Sequence, residues 1–434
     1  MNNFEMVKNK KIPEDFLSYL WRFRLIRLPL ISAKGQAIWV KKPGVKNIDG
    51  GPDFSNALIK IGETTWAGHI EIHRKSSDWI KHNHHLDKKY ENVILHVVLE
   101  DDLGDNYQNF RPVAVLELKS RFDFKRYSKY LGFMQNQGWI PCERSIHQVS
   151  ELTKSHFLHR LAIERIERRF INLNADLVKN KSDFEQLFHV QLFKSFGFKT
   201  NATAFELLAK AIPVNLILKH SKNLTQIEAL LFGQAGMLNK SFKDDYPKLL
   251  KSEYGFLKHK FALKPISVHL WQYLRLRPSN FPTIRIAQLA QLLHKQDFML
   301  SKFTDIGSIN ELLNLFEISA SEYWDQHYHF DKKTKKSNKN LGTKATESII
   351  INGIVPIFFI YGHYTAKPAY SEKAMQFLEC LKGENNAITK KWATLNLPIE
   401  NALQTQALIE LKTQYCDLKR CLECELGCEL LNKS

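Results

Sequence analysis

The chain has 434 residues, 44% hydrophobic and 25% charged, with 62 Lys and Arg against 45 Asp and Glu, a net charge of +17. That balance belongs to a folded globular protein of two or three domains and excludes a disordered, collagen-like or coiled-coil chain. The basic excess favours a polyanionic partner, nucleic acid or an anionic membrane surface.

The excess is uneven. Residues 1–150 carry 23 basic and 17 acidic side chains, residues 151–350 carry 30 and 19, and residues 351–434 carry nine of each. No run of about 18 apolar residues is present to span a membrane. The most apolar stretch, Ile349 to Tyr361, is interrupted by Asn352 and Pro356. The N-terminal residues lack the apolar segment of a secretory leader. The expected compartment is therefore the cytoplasm, with no membrane partner and with reduced cysteines.

Residues 13–27 read as a helix, with Pro13 at its start, Glu14 and Asp15 near the positive end of the dipole, and an apolar stripe at 16, 17, 20, 21 and 25. Residues 36–42, 54–61 and 65–73 read as strands, the last two joined by a Gly62-Glu63 turn. Residues 78–90 fit a helix. Residues 93–99 (VILHVVL) form a buried central strand, and residues 113–118 form another. This order predicts an α/β or α+β domain over residues 1–145. A basic helical domain over 146–345 and a helical region over 346–434 follow, the last ending in clustered cysteines. Residues 329–346 are Lys-rich and expected to be an exposed loop.

Asp53 follows Gly50-Gly51-Pro52 at the head of one strand, and Glu71 lies on the next. His73 and Lys75 share the face of Glu71, because side chains alternate along a strand. Two carboxylates on neighbouring strands can converge on a hard divalent cation. A base or cation beside them can orient an attacking water, which is the chemistry of metal-assisted phosphodiester hydrolysis.

Pro52-Asp53 followed by Glu71-Ile72-His73 resembles the signature of the PD-(D/E)XK nuclease superfamily. The resemblance covers about residues 12–120 and implies a restriction-endonuclease-like α-β-β-β-α-β core. It implies Mg²⁺ or Mn²⁺ held by Asp53 and Glu71, with Glu14 of the first helix contributing. It also implies a water-orienting role for His73, which stands where the family has Lys, or for Lys75. The exonuclease branch has Gln-x-x-x-Tyr on the next helix; here that segment carries His84, His85, Asp87 and Tyr90. A second Glu-x-Lys, Glu117-Leu118-Lys119, has no Pro-Asp one hairpin earlier.

Four histidines, His73, His82, His84 and His85, fall within 13 residues. They suit a transition metal, phosphate contacts by His82, His84, His85 and Tyr90, or simply a polar helix surface capped by Ser77 or Asp78. His96, inside the apolar strand, reads as a hydrogen-bonded core histidine.

Cys416, Cys421, Cys424 and Cys428 lie within 13 residues. Clustered thiolates are soft ligands, and this spacing suits an iron–sulfur cluster better than a zinc ribbon. All four serve, or Cys142 joins Cys416, Cys421 and Cys424. The second set resembles the iron–sulfur branch of the same nucleases, which implies a 4Fe-4S cluster, with Zn²⁺ as the alternative.

Residues 251–290 carry seven Lys or Arg and one acid, interleaved with Trp271, Tyr273 and Phe281. Arg275, Arg277 and Arg285 are thus candidates to grip nucleic acid, with the aromatics stacking on bases or filling the core.

The segments GPDF and EIH-x-KSSDW-x2-H-x-H, with the terminal cysteines, also resemble an uncharacterised bacterial family, domain of unknown function 2851. That resemblance implies no activity. The expected function is a metal-dependent nuclease acting on nucleic acid, DNA first. The alternatives are a catalytically inactive nuclease fold that binds nucleic acid, and a hydrolase of another phosphoester built on the histidines.

Overall fold

A computed structural model describes residues 12–47, 49–104, 114–179, 183–295, 300–397 and 399–433. The N-terminal residues read as lacking a leader lie mostly outside these. The chain forms two compact units, one of Met1–Thr153 with Thr413–Ser434, the other of Lys154–Lys412.

The first unit opens with helix α1 (Glu14–Arg22), which buries Phe16, Leu17, Tyr19, Leu20 and Trp21. The expected continuation to residue 27 fails: Arg24 takes a left-handed φ of 53° and turns the chain out of the helix. A seven-stranded sheet follows: β1 (Leu30–Ile31), β2 (Ala37–Lys42), β3 (Val45–Lys46), β4 (Phe54–Ile61), β5 (Thr64–Lys75), β6 (Val93–Glu100) and β7 (Ala114–Glu117). Its main path runs β1-β2-β4-β5-β6-β7, with β3 paired to β4. Pairing is antiparallel from β1 to β5 and parallel across β5, β6 and β7.

Side chains alternate along the central strands. Ile70, Ile72, Leu95, Val97 and Leu116 face the main core, which includes Phe16 and Leu20 of α1 and Tyr127 and Tyr130 of α3 (Phe124–Gln135). The opposite face carries Glu71, His73, His96 and Val98. Trp79 covers it, packing with Val93, Val98 and Val115.

The segment between the parallel strands is not the helix expected over 78–90. One turn, α2 (Asp78–Lys81), is followed by two 3-10 turns, His84–Leu86 and Lys88–Tyr90. The break is at Asn83, whose left-handed φ of 58° an α-helix cannot continue through.

The expected three-part division at 145 and 345 becomes two units, for physical reasons at both ends of the last region. Cys428 and Leu431 complete the core around Phe16. The Tyr19 hydroxyl donates to Asn432 Oδ1 at 3.1 Å, and Arg126 Nε donates to the Leu431 carbonyl at 3.2 Å. Residues 413–434 therefore belong with the sheet.

In the second unit, Glu410 is buried between Arg165 at 3.3 Å and Arg168 at 2.6 Å. Arg169 donates to Asn352 Oδ1 at 2.8 Å. Residues 346–412 are thus tied to the helix over 154–179. The apolar run at 349–361 lies within a continuous helical segment, Thr343–Tyr364, which is long and apolar enough to cross a membrane by length and composition; two thirds of its apolar window is buried. The Lys-rich stretch after residue 329 is exposed over 332–338, as expected, but is anchored at two points. Lys332–Lys333 pairs with His327–His329, and Lys339 is buried, donating to the Ser337 carbonyl at 2.7 Å.

Leu431 is 1% exposed in the sheet unit's core. Leu431→Ala is expected to cost about 2–5 kcal/mol, because truncation leaves a cavity among aromatic side chains. Denaturant unfolding followed by tryptophan fluorescence measures it, and a loss under about 1 kcal/mol would mean that the tail is not part of this core.

Candidate metal-binding site

The site is built where β4 and β5 begin to pair. Phe54 lies opposite Ile70, which sets Asp53 beside the Glu71–Ile72 peptide. The Ile72 amide donates to Asp53 Oδ2 at 2.9 Å, and the Asp53 amide donates to Glu71 Oε2 at 3.1 Å. Each carboxylate is therefore fixed by the main chain beside the other. Glu14, at the first turn of α1, accepts from the Arg74 amide at 3.2 Å, and its charge reaches both Asp53 and Glu71.

The parallel pairing of β5 with β6 sets Glu71 opposite His96. His73 is 2% exposed and His96 fully buried, and His73 Nδ1 lies 2.8 Å from His96 Nε2. The other ring nitrogen of His73, Nε2, lies 3.4 Å from Glu71 Oε1 and 3.2 Å from His82 Nδ1. His84 Nε2 lies 3.3 Å from Glu71 Oε1. The ligand atoms of His73, His82 and His84 all fall within 4.8 Å of one another. His84 stacks on Tyr90 at 3.8 Å between ring centres and meets the edge of Trp79 at 5.5 Å.

Electrostatics follow from burial. Desolvation, and then repulsion by Asp53, pushes Glu71 up to about 9. Desolvation raises Asp53 to about 6 against the bond from Ile72, with Glu14 adding repulsion. Desolvation and the neighbouring imidazoles hold His73 at about 2, His84 at about 4 and His96 at about 3. The histidines are therefore neutral near pH 7 and supply no positive charge to the carboxylates. A desolvated acid pair that Lys46 does not fully offset, beside imidazole nitrogens, fits a divalent cation.

The structure thus brings together Glu14, Asp53, Glu71, His73, His82 and His84. Lys75 is turned elsewhere: it is half exposed and pairs with Asp102 at 3.3 Å. Tyr90, expected on a nucleic-acid surface, is buried beneath His84, and burial, then the charges of Glu71 and Asp53, raises its hydroxyl to about 12. His85 has intermediate burial. His96 is the residue whose part the sequence obscured: it is a core histidine, and it is also hydrogen-bonded to His73. Its place opposite Glu71 depends on parallel register, which strand alternation alone does not supply.

The five cysteines of interest all lie in the sheet unit. Cys142, Cys421, Cys424 and Cys428 are buried and Cys416 is partly exposed. Burial raises the Cys142 thiol well above its usual range, and Cys424 and Cys421 raise it further. Cys421 is pushed up to about 12 by burial, then by Cys424 and Cys428. Cys142 is therefore beside the terminal cluster although nearly 300 residues separate them in sequence. Cys428 also donates to the Leu422 carbonyl at 3.3 Å.

In the helical unit, Arg275 and Arg277 are exposed. Arg285 is not available to phosphate. It is 6% exposed, donates to Gln288 at 2.8 Å and Asn280 at 2.6 Å, and lies over the Phe198 ring at 4.8 Å. Trp271 is buried and donates to the Ala235 carbonyl at 2.8 Å; Tyr273 packs with Phe281 and His329. These aromatics fill the fold.

The family model of proteins of unknown function DUF2851 matches residues 14–387. The chain belongs to that family. The matched span begins at Glu14, contains every acid and histidine of the cluster, and ends before the terminal cysteines. No curated protein matches the chain, and no solved structure does.

The shifts predict a pH profile for the metal-free protein. Glu71 and Asp53 titrate above their unfolded values, so their contribution to stability is present at low pH and is lost as pH rises, for Glu71 through about 9. The histidines titrate below theirs, so their contribution is present above about 6.5 and is lost as pH falls. The melting temperature should peak at about pH 6 and decline toward about pH 9. Glu71→Gln should flatten most of the alkaline decline. An identical decline in the variant would show that Glu71 does not cause it.

Proposed function

We propose that the sheet unit is a metal-dependent phosphodiesterase of the PD-(D/E)XK type, acting on nucleic acid and on DNA first. The observation that carries this is the reciprocal locking of Asp53 and Glu71 across two adjacent strands. Glu14 of the first helix is directed to the same two acids, although the helix that such a nuclease core would place between β5 and β6 is here a single turn followed by two 3-10 turns.

In this reading Asp53 and Glu71 would hold Mg²⁺ or Mn²⁺. When bound, the ion supplies Lewis acidity toward a phosphate oxygen and its water. The chain's residues do the rest. The Ile72 and Asp53 amides fix the carboxylates so that little side-chain freedom is lost on binding. His82, the exposed histidine of the group, lies at the mouth of the site. Lys75 is tied to Asp102, so the superfamily's lysine has no counterpart here, and the neutral imidazoles take its place beside the acids.

Arg275 and Arg277 are the proposed phosphate contacts of the helical unit. Four of Cys142, Cys416, Cys421, Cys424 and Cys428, of which all but Cys416 are buried, are the proposed ligands of a structural iron–sulfur cluster or of Zn²⁺.

The decisive assay is cleavage of end-labelled single- and double-stranded DNA in Mg²⁺ or Mn²⁺. Asp53→Asn is expected to lose ~100-fold or more, since removing an ion that contributes several kcal/mol costs that much in rate. Salt-sensitive DNA binding without cleavage by wild type would favour the inactive, binding-only alternative. For the cysteines, anaerobically purified protein should be brown if the cluster is iron–sulfur and colourless with bound zinc otherwise, and Cys142→Ser should lose the cofactor in either case. Wild-type protein with neither iron nor zinc would reject a cofactor there.

A further inference from the structure

We propose that His73 Nε2, His82 Nδ1 and His84 Nε2, with Glu71 Oε1 in contact with the first and last of them, form a site for a late first-row divalent metal, zinc being the best fit. Its role in hydrolysis rests on the function proposed above; the binding of the metal does not.

The spacing carries the argument. A tetrahedral zinc with bonds of about 2.0–2.1 Å sets its donors about 3.3–3.4 Å apart. The contacts here are 3.4 Å from His73 Nε2 to Glu71 Oε1, 3.3 Å from His84 Nε2 to Glu71 Oε1, and 3.2 Å from His73 Nε2 to His82 Nδ1. The three imidazoles lie mutually within 4.8 Å.

The backbone is arranged to produce this. In a continuous helix, residues two apart point in different directions and do not share a ligand. Asn83, at φ 58°, separates α2 from the following 3-10 turn and so lets His82 and His84 both turn toward His73.

The surroundings then fix each donor. A proton on His73 Nδ1, directed to His96 Nε2 at 2.8 Å, leaves the lone pair of His73 Nε2 toward the site. A second hydrogen-bonding partner behind a ligating imidazole is the usual way such a ring is oriented. Tyr90 and Trp79 hold the ring of His84. Glu71 Oε2 is occupied by the Asp53 amide, which leaves Oε1 toward the histidines. His82 is exposed and provides the entry side.

Three nitrogens and one oxygen also decide the class of metal. Imidazole suits zinc, copper, nickel and iron, whereas Mg²⁺ requires near-octahedral oxygen ligation. The histidine side of the centre therefore selects against the ion that Asp53 and Glu71 would hold alone.

The test uses full-length protein stripped with a chelator and reloaded with Co²⁺ as a spectroscopic probe, then with Zn²⁺. Wild type should show strong visible d–d absorption from a tetrahedral nitrogen and oxygen site. The His82→Ala/His84→Ala variant should lose that absorption and one equivalent of zinc per chain, while keeping any thiolate-to-cobalt charge transfer from the cysteines and a cooperative unfolding transition in the metal-free protein. Cobalt absorption of thiolate character alone in wild type, or an unchanged zinc equivalent in the double variant, overturns the proposal. Asp53→Asn separates the two ideas: it should retain the cobalt spectrum and lose DNA cleavage. A cobalt site in a wild-type protein that cuts no nucleic acid would sink the nuclease function and leave the metal site standing.

Discussion

Glu71 is buried beside a half-buried Asp53, a pairing that the charge of Lys46 offsets only in part, and the structure of the sheet unit answers to that constraint. Asp53 and Glu71 are tolerated because each accepts an amide from the other's strand, which recovers part of the solvation that burial removes. The hydrogen bonds require the end of β4 to meet β5 with Phe54 opposite Ile70. Parallel pairing of β5 to β6 then fixes His96 beside Glu71 and beneath His73. A shift of one residue in either register would turn the acids into the apolar core or His73 away from His96. The folding of the unit and the chemistry of its site are thus set by the same few backbone contacts.

The net charge of +17 pointed to a polyanion, yet much of the basic surplus in the middle of the chain is spent internally. Arg165 and Arg168 neutralise Glu410, Arg169 binds Asn352, and Arg285 is enclosed by Asn280, Gln288 and Phe198. An arginine committed to a buried partner does not contribute to a phosphate-binding surface. At the expected grip Arg275 and Arg277 remain exposed together with Lys251, Lys258, Lys260 and Lys264, while Arg285 is withdrawn. The acids and histidines of the sheet unit are the stronger pointer.

Strand positions were legible in the sequence to within two residues, because alternation and apolar runs over 36–42, 54–61, 65–73 and 93–99 follow from burial on one or both faces. The convergence of Glu14, Asp53 and Glu71 was legible from the motif. Two features were not. The helix expected over 78–90 has helical composition but breaks at a left-handed Asn83, a local choice that periodicity does not encode. The return of residues 413–434 to the sheet is decided by Cys428 and Leu431 filling space beside Phe16, a long-range packing fact invisible to any window of sequence. Trp271 and Tyr273 look the same in sequence whether they stack on bases or fill a core; only their partners decide it.

The histidine at position 73 is consistent with its surroundings in a way that a lysine would not be. The site is enclosed by Trp79, Tyr90 and the sheet, and His82, His84 and His96 all come close to the ring of His73. An ammonium group there would be desolvated and would repel any metal that the neighbouring nitrogens attract. A neutral imidazole is tolerated without a counter-charge, can accept orientation from His96, and offers a lone pair to a cation. On the proposed nuclease reading, an imidazole in place of lysine would change the kind of centre that can form. Positive charge would come from a bound ion instead of from the chain, and Glu71, between Asp53 on one side and the imidazoles on the other, is the residue on which both proposals depend.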